Sequence, residues 1–236
     1  MTLEEKLKKL EDYDTPSITN VVATYPQDKK RCLGLYNPWT EDWYTDETAR
    51  CIFPELGRRA GVAVTVTYGT PDPNFNRLGF YDLLKAIEDA PKPVILILKQ
   101  DMPEKFKKKC GLLGGNMMTA FKSVGVVGVI SDGPSRDVDE VRPLGLQYML
   151  TGVCPGHGDF TIYSVNTPVT VCGMNVAPGD IVHMDENGAV KFPAQYLDKV
   201  IDLCGELAEA EREKQRLLSL HHDAETLSKI MSDQYK

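Results

Sequence analysis

The segment Gly114–Glu140 (GGNMMTAFKSVGVVGVISDGPSRDVDE) constrains the fold most, because a glycine pair, a helical pattern, an apolar run and a tight turn follow one another directly. The pattern predicts a short helix over about 116–124 and a buried strand over about 126–130. An Asp-Gly-Pro turn then presents Arg136 and Asp137 side by side. Helix, strand and turn return the chain to one sheet edge, so we expect the glycine pair and the Arg-Asp pair to lie close together.

Three features of this segment suit an anion and a divalent metal. Gly114 and Gly115 precede the helix and leave its first N–H groups uncovered, which suits an anion. Arg136 supplies a fixed cation, and Asp137 supplies a carboxylate that suits a divalent metal. An Arg-Asp dipeptide is also common as a solvated surface pair, and Gly-Gly as an ordinary turn. The residues alone therefore leave both interpretations open.

Composition narrows the class of protein. The chain has 236 residues, 42% hydrophobic residues and a formal net charge of −7, which indicates a globular protein without the basic face that nucleic acids require. No apolar run approaches the roughly 20 residues that span a bilayer. The charged start of the chain does not resemble a signal peptide. The six cysteines and four histidines show no zinc-binding spacing. We therefore predict a cytoplasmic protein with no nucleic-acid or membrane partner.

The remaining patterns predict a single domain over 1–236, with a core at about 14–193 and a C-terminal helical extension at about 194–232. An alternating run predicts a strand over 60–68, a helical pattern covers 80–89, and a continuous apolar run predicts a strand over 93–99. The half after Val124 is expected to be mostly β. The final helix is expected to reach about Ser232 and to pack on a neighbouring subunit.

An irregular segment, Tyr25–Asp46, is rich in proline, tryptophan, tyrosine and asparagine. Its two tryptophans, Trp39 and Trp43, could line a pocket, but aromatic residues in such a segment more often seal it or contact a partner subunit. For both tryptophans we favour sealing of the segment.

The central segment and the β half together resemble a known family. Gly115 and Arg136 are separated by twenty residues, Asp137 follows, and the run PGDIVHMDENGAVKFP occupies 178–193. These features are similar to those of the 4-hydroxy-4-methyl-2-oxoglutarate/4-carboxy-4-hydroxy-2-oxoadipate aldolases, a family that also contains the regulator of ribonuclease activity A and was formerly labelled dimethylmenaquinone methyltransferase. The resemblance covers about 14–200.

The resemblance implies an α/β fold: a layered α/β/β sandwich like the swivelling phosphohistidine domain, with a long C-terminal helix, assembled as a homotrimer or homohexamer. It implies a lyase that depends on Mg²⁺ or Mn²⁺ and cleaves a C–C bond of a 2-oxo acid through a pyruvate enolate. The same enolate arises when oxaloacetate loses CO₂, so the resemblance also implies oxaloacetate decarboxylase activity. A divalent metal can act as a Lewis acid and stabilise the negative charge of the enolate.

The resemblance also assigns roles to residues by position. Arg136 is expected to bind substrate and Asp137 to bind the metal, with both catalytic. Glu140 is expected to reach the metal through water. The backbone donors for the substrate carboxylate are expected from Gly114, Gly115, Asn116 and Met117, with Met118 adjoining. Asn116 departs from the family, because many aldolases carry an acidic residue there.

Two other functions are alternatives to the lyase. The first is a non-catalytic regulator that binds a ribonuclease or an RNA-degradation partner; the known regulator lacks the metal-binding aspartate, so Asp137 favours the enzyme. The second is a methyltransferase, which requires a glycine-rich turn after the first strand of a doubly wound sheet, and AGVAVTVTYGTPD does not supply one convincingly. A lysine Schiff base is the alternative electron sink, but Lys122, the only lysine in the segment, has the pattern of an ordinary helix-face residue.

Overall fold

The structure, a computed structural model, describes residues 1–23, 30–75 and 77–235. Its helices are α1 (Leu3–Leu10), α2 (Thr15–Val22), α3 (Phe80–Asp89), α4 (Glu104–Lys107), α5 (Gly115–Ser123), α6 (Val138–Val141), α7 (Leu197–Leu220) and α8 (Ala224–Met231). Its strands are β1 (Arg50–Cys51), β2 (Arg59–Gly69), β3 (Val94–Asp101), β4 (Val126–Ser131), β5 (Gln147–Leu150), β6 (Thr161–Val165), β7 (Val169–Val171), β8 (Met174–Val176), β9 (Ile181–Asp185) and β10 (Gly188–Phe192).

Within the described residues, eight strands form one mixed sheet in the order β1-β5-β4-β3-β2-β9-β10, with β6 also paired to β2. The strands β2, β3, β4 and β5 run parallel to one another, and the others pair antiparallel. Parallel strands covered on both faces are typically continuous apolar runs. This explains why β3 is apolar from Val94 to Leu98 and why β4 has no polar side chain before Ser131. Both strands were predicted from that pattern.

The two faces of the sheet pack against different layers, because successive side chains along a strand point to opposite sides. Leu96 and Leu98 of β3 join a buried cluster with Leu83 of α3 and Phe121 of α5. Their neighbours on the opposite face join a cluster with the separate two-stranded hairpin β7–β8. A third cluster holds α1, α2 and α7 against β9 and β10. The predicted α/β class is confirmed, whereas the likeness to the swivelling phosphohistidine domain stays a prediction.

Side-chain caps fix where the first two helices begin. Thr2 forms a capping box with Glu5 at the start of α1. The second helix is capped by Asp14, whose side chain accepts the Ser17 N–H at 2.9 Å, while the Thr15 N–H donates to Asp185 at 2.8 Å. Because Asp14 is the cap, α2 begins at Thr15.

The C-terminal helix is shorter than predicted. It ends at Leu220, and Asp223 caps a new helix, α8, by accepting the Thr226 N–H at 2.8 Å. This second helix folds back on α7, where Lys214 pairs with Asp233 at 2.8 Å and Ile230 is buried. The prediction of one helix to Ser232 is therefore wrong, because a strong N-cap interrupts it. The single-domain assignment over 1–236 stays a prediction.

The remaining sequence expectations have mixed outcomes. Trp43 is fully buried and stacks on Tyr36 at 5.2 Å between ring centroids, so it seals the core as predicted. Trp39 is 91% exposed, so the expectation that it seals the segment is wrong. Part of the irregular segment, at 24–29, lies outside the described residues. No helix in the described ranges is long and apolar enough to cross a membrane.

A buried histidine in β9 gives the fold a defined pH dependence. His183 Nδ1 lies 3.0 Å from Thr15 Oγ1, and among the described residues its Nε2 has no hydrogen-bond partner. Burial lowers the pKa of His183 below its ordinary 6.5, although the charge of Asp185 opposes this. The unfolded chain therefore takes up a proton that the folded chain excludes. The stabilisation is complete above about pH 6.5 and is lost progressively as the pH falls below it.

We expect the free energy of unfolding of the wild type to fall by up to about 1.4 kcal/mol per pH unit from this group alone between about pH 6.5 and about pH 5. His183→Asn removes the titrating ring and should give a shallower fall over that range, whatever its overall loss of stability. Urea unfolding of both proteins at several pH values measures the two slopes. Equal slopes would contradict the expectation.

Candidate active site

The turn that follows β4 is anchored at its first residue. One carboxylate oxygen of Asp132 accepts the Gln100 backbone N–H at 2.7 Å, and the other pairs with Lys107 Nζ at 2.7 Å. Both side chains of this ion pair are largely buried. The turn therefore starts from a fixed point at the carboxyl ends of β3 and β4, which is where ligands commonly bind in parallel sheets.

Arg136 and Asp137 lie at the end of this turn and contact each other. Arg136 Nε lies 3.2 Å from Asp137 Oδ2, and the two side chains are 32% and 27% exposed. Asp137 adopts a left-handed backbone (φ 56°, ψ 41°) immediately before α6. Aspartate tolerates this conformation better than most residues. Both groups are thus held in place and remain accessible to a ligand.

The glycine pair lies directly against these side chains. The Gly115 N–H donates to Asp137 Oδ2 at 3.0 Å. A Cβ atom at Gly114 would lie 2.6 Å from Asp137 Oδ2, and one at Gly115 would lie 1.9 Å from Glu140 Oε2. Two carboxylates therefore approach the helix start only because neither residue has a side chain. The structure brings Gly114, Gly115, Arg136, Asp137 and Glu140 together.

The first turn of α5 offers unpaired N–H groups. In the part of the chain that the structure describes, the amides of Gly114, Asn116 and Met117 have no hydrogen-bond acceptor. The Met118 N–H, by contrast, donates to the Gly114 carbonyl at 3.0 Å, and its side chain is buried. Because Met118 is committed to the helix, the free donors are fewer than the sequence suggested. They still form the anion-binding start of a helix.

The donor set around Asp137 fits a hard divalent cation. Within 1–23, 30–75 and 77–235, no group of three or more histidine, cysteine, aspartate or glutamate side chains could hold a metal. The second oxygen of Asp137 and the exposed carboxylate of Glu140 have no protein partner among the described residues. Mg²⁺ and Mn²⁺ accept one or two carboxylates with waters and substrate oxygens completing the shell. The cradle beside the two glycines therefore suits such an ion.

Lys122, which the sequence analysis considered, and the loop residue His157 do not join this cluster. Lys122 is exposed and donates to the Leu144 carbonyl at 2.5 Å. His157 is exposed, and its Nδ1 lies 3.2 Å from the adjacent Gly158 carbonyl. Neither group shows a hydrogen bond or an ion pair to Arg136 or Asp137.

A buried hydrogen-bond cluster behind the site was not predicted. Ser135 and Tyr148 are both fully buried and both contact the backbone of Leu113, the residue before the glycine pair. The sequence carries no periodic signal for it, because Leu113, Ser135 and Tyr148 belong to three separate parts of the chain.

Comparison with known proteins supports a family assignment. The family model RraA-like, described as Aldolase/RraA, matches residues 41–191. An uncharacterised protein of Methanocaldococcus jannaschii is 32% identical over 114 residues, which is 48% of this chain and 55% of that protein. A putative 4-hydroxy-4-methyl-2-oxoglutarate aldolase of Deinococcus radiodurans is 38% identical over 87 residues, 36% of this chain and 54% of that protein. The chain thus spans about half the length of the curated relatives it matches.

Solved structures share the fold at low sequence identity. An uncharacterised protein of Pseudomonas syringae pv. tomato aligns with a TM-score of 0.74 at 20% identity, covering 98% of this chain and 95% of that one. Streptomyces coelicolor RraAS2, an unusual member of the RNase ES inhibitor RraA family, aligns with a TM-score of 0.66 at 20% identity, covering 89% and 96%. These likenesses concern the fold alone. Because the family model covers more than half of the chain, this protein belongs to the RraA-like family.

Proposed function

We propose that this protein is a divalent-metal-dependent lyase that cleaves a C–C bond of a 2-oxo acid and leaves the electrons on a pyruvate enolate. The observation that carries the proposal is the contact between the glycine pair and the Arg-Asp pair. The Gly115 N–H donates to Asp137 Oδ2 at 3.0 Å, and unpaired amides lie on either side of it. An anion-binding helix start thus adjoins a carboxylate with a free oxygen.

The amides and Arg136 bind and orient the substrate in this proposal. The free N–H groups of Gly114, Asn116 and Met117, at the start of α5, would bind a carboxylate of the 2-oxo acid. Arg136 uses Nε on Asp137, which leaves the terminal N–H groups of the guanidinium for a substrate oxygen. Because arginine stays charged at all relevant pH values, it holds an anion throughout the reaction.

Asp137 and Glu140 are the residues that would hold the metal. Asp137 would hold the metal with the oxygen that is not used by Gly115 and Arg136, and Glu140 would act through water. A bound Mg²⁺ or Mn²⁺ supplies the Lewis acid that stabilises the electrons left when the bond breaks. Asn116, which is exposed and neutral, orients substrate through its amide and is not a base.

The position of Lys122 favours a metal ion, rather than a lysine Schiff base, as the group that stabilises the electrons of the broken bond. A Schiff-base lysine needs a desolvated amine, whereas Lys122 is exposed and donates to the Leu144 carbonyl, beyond the end of α6. Relatives named as 4-hydroxy-4-methyl-2-oxoglutarate aldolases make that compound the first substrate to test, with oxaloacetate as the second. As part of the proposal, the chain assembles as a trimer or a pair of trimers, which light scattering would detect as three or six chain masses.

The test is metal-dependent pyruvate release from both substrates, measured through lactate dehydrogenase and loss of NADH. We expect turnover with Mg²⁺ or Mn²⁺ and none after treatment with EDTA, restored on adding metal. Free divalent ions decarboxylate oxaloacetate without enzyme, so the rate must rise in proportion to the protein concentration at constant metal.

The result that would overturn the proposal is the absence of turnover with any 2-oxo acid in a panel, for protein shown by calorimetry to bind the metal. Recovery of a ribonuclease in a pull-down by that same inactive protein would favour the non-catalytic regulator instead.

A further inference from the structure

A buried hydroxyl pair holds the residue that precedes the glycine turn. Ser135 Oγ accepts the Leu113 N–H at 3.0 Å and donates to the Leu113 carbonyl at 2.7 Å. The Tyr148 hydroxyl, on β5, contacts both the Leu113 carbonyl and Ser135 Oγ. All three residues are fully buried. Both polar backbone groups of Leu113 are therefore fixed by side chains from the other half of the site.

This arrangement determines the direction of the next amide. The Leu113 carbonyl and the Gly114 N–H belong to one planar trans peptide, so they point in opposite directions. Hydroxyls that hold the carbonyl in the core therefore turn the Gly114 N–H away from the core. That N–H has no acceptor among the described residues, and Gly114 lies against Asp137 and Arg136. The clamp thus points a free donor at the candidate site.

The same serine also fixes the opposite half of the site. Ser135 directly precedes Arg136, its N–H donates to the Gly152 carbonyl at 3.1 Å, and its carbonyl accepts the Cys154 N–H at 2.9 Å. One residue therefore connects the turn that carries Arg136 to the loop that carries the amide donors. A change in its hydroxyl would shift these two parts relative to each other.

Tyr148 stays a hydrogen-bond donor under ordinary conditions. Burial raises the pKa of its hydroxyl, and the negative charge of Asp137 adds to this effect, although the hydrogen bond to Ser135 opposes them. The side chain is fully buried, so it does not contact the substrate. Its hydroxyl can affect the site only through its contacts with Leu113 and Ser135.

We propose that Ser135 and Tyr148 are positioning residues, which set the orientation of the Gly114 amide and thereby the affinity of the site for a carboxylate. They do not touch the substrate. This inference takes one element from the proposed function, namely that the bound anion is a planar 2-oxo acid or its enolate.

The test uses oxalate, a planar dianion that resembles the pyruvate enolate, in the presence of Mg²⁺. For Tyr148→Phe we expect the Kd of oxalate, measured by calorimetry, to rise about 5-fold, the effect of one hydrogen bond. Ser135→Ala frees the Leu113 N–H and leaves the Leu113 carbonyl with Tyr148 alone, so it should raise the Kd at least 10-fold. Ser135→Thr keeps the hydroxyl and should restore affinity.

The Kd of Mn²⁺ alone should stay within about 2-fold in every variant, because Asp137 keeps its place.

Matched controls separate positioning from general loss of stability. Tyr163→Phe removes a hydroxyl that donates to the Thr70 carbonyl at 2.8 Å, and Ser123→Ala removes one that donates to the Thr119 carbonyl at 3.0 Å. Neither should change the Kd of oxalate. With a turned-over substrate, KM should rise more than kcat falls in Tyr148→Phe.

Each outcome decides the proposal. Unchanged oxalate affinity in folded Tyr148→Phe and Ser135→Ala overturns it, as does a parallel loss of metal and oxalate binding. A wild type that binds no oxalate overturns both this proposal and the proposed function. A wild type that binds oxalate but turns over no 2-oxo acid refutes only the lyase, and the variants still decide the positioning role.

Discussion

Asp137→Asn is expected to lower kcat/KM for metal-dependent pyruvate release by about 10³-fold, because several kcal/mol of Lewis-acid stabilisation are lost. Asparagine tolerates the left-handed backbone of Asp137 (φ 56°) and keeps an oxygen for the Gly115 N–H. The change therefore removes the charge with little distortion of the turn. The measurement is the coupled pyruvate assay at saturating Mn²⁺, together with the Kd of Mn²⁺ by calorimetry.

Asp139→Asn is the matched control for this variant. Asp139 is exposed and lies two residues farther along the chain, in the first turn of α6. Asp139→Asn removes the same negative charge close to Asp137, and this variant should retain the wild-type kcat/KM. If Asp137→Asn kept more than about a tenth of the activity at saturating metal, the metal-binding role of Asp137 would be wrong, since that loss is below about 1.4 kcal/mol.

The second large effect is expected for Arg136→Lys, with kcat/KM for the 2-oxo acid reduced by about 10- to 100-fold, mostly through KM. Arg136 Nε is committed to Asp137 Oδ2 at 3.2 Å, and only the planar guanidinium has further N–H groups for the substrate. A lysine ammonium can contact Asp137 or the substrate carboxylate but cannot span both with the same geometry. Steady-state kinetics on the purified variant measure the effect.

Arg142→Lys is the control for that substitution. Arg142 pairs with Glu55 at the surface, and its side chain is about half exposed. It should show unchanged kinetics. An Arg136→Lys enzyme whose KM for the 2-oxo acid equals that of the wild type would show that Arg136 does not bind the substrate.

Most of the longer elements could be predicted from local patterns. The helix at 80–89 was predicted with the bounds that the structure shows. It depends on a periodic run of side chains, which is encoded in adjacent residues. The helix break before Asp223 was missed because a single N-cap competes with a long helical pattern around it. Strand β8, Met174–Val176, is too short to show alternation, so no local pattern predicts it.

The residue types of the candidate site could be predicted, and so could the closeness of the glycine pair to the Arg-Asp pair. Glycines before a helix and an Arg-Asp pair after the next parallel strand meet at one edge of a sheet, because a parallel connection returns to the same end. The pattern could not show which amides stay free. Met118 was expected to adjoin the donors, yet its N–H bonds within α5, and the Gly115 N–H is used by Asp137. Those partners depend on how α5 packs against the turn that carries Asp137.

What the sequence determined by itself is the order of elements, the polar residues at the end of β4, and the small residues that allow two carboxylates to approach a helix start. Periodicity and glycine placement encode these features locally. Only the tertiary structure decided that Ser135 and Tyr148 meet at Leu113, directly before the glycine pair that contacts Asp137. Hydrogen bonds between residues far apart in the chain form only after the core has packed, so no local pattern records them.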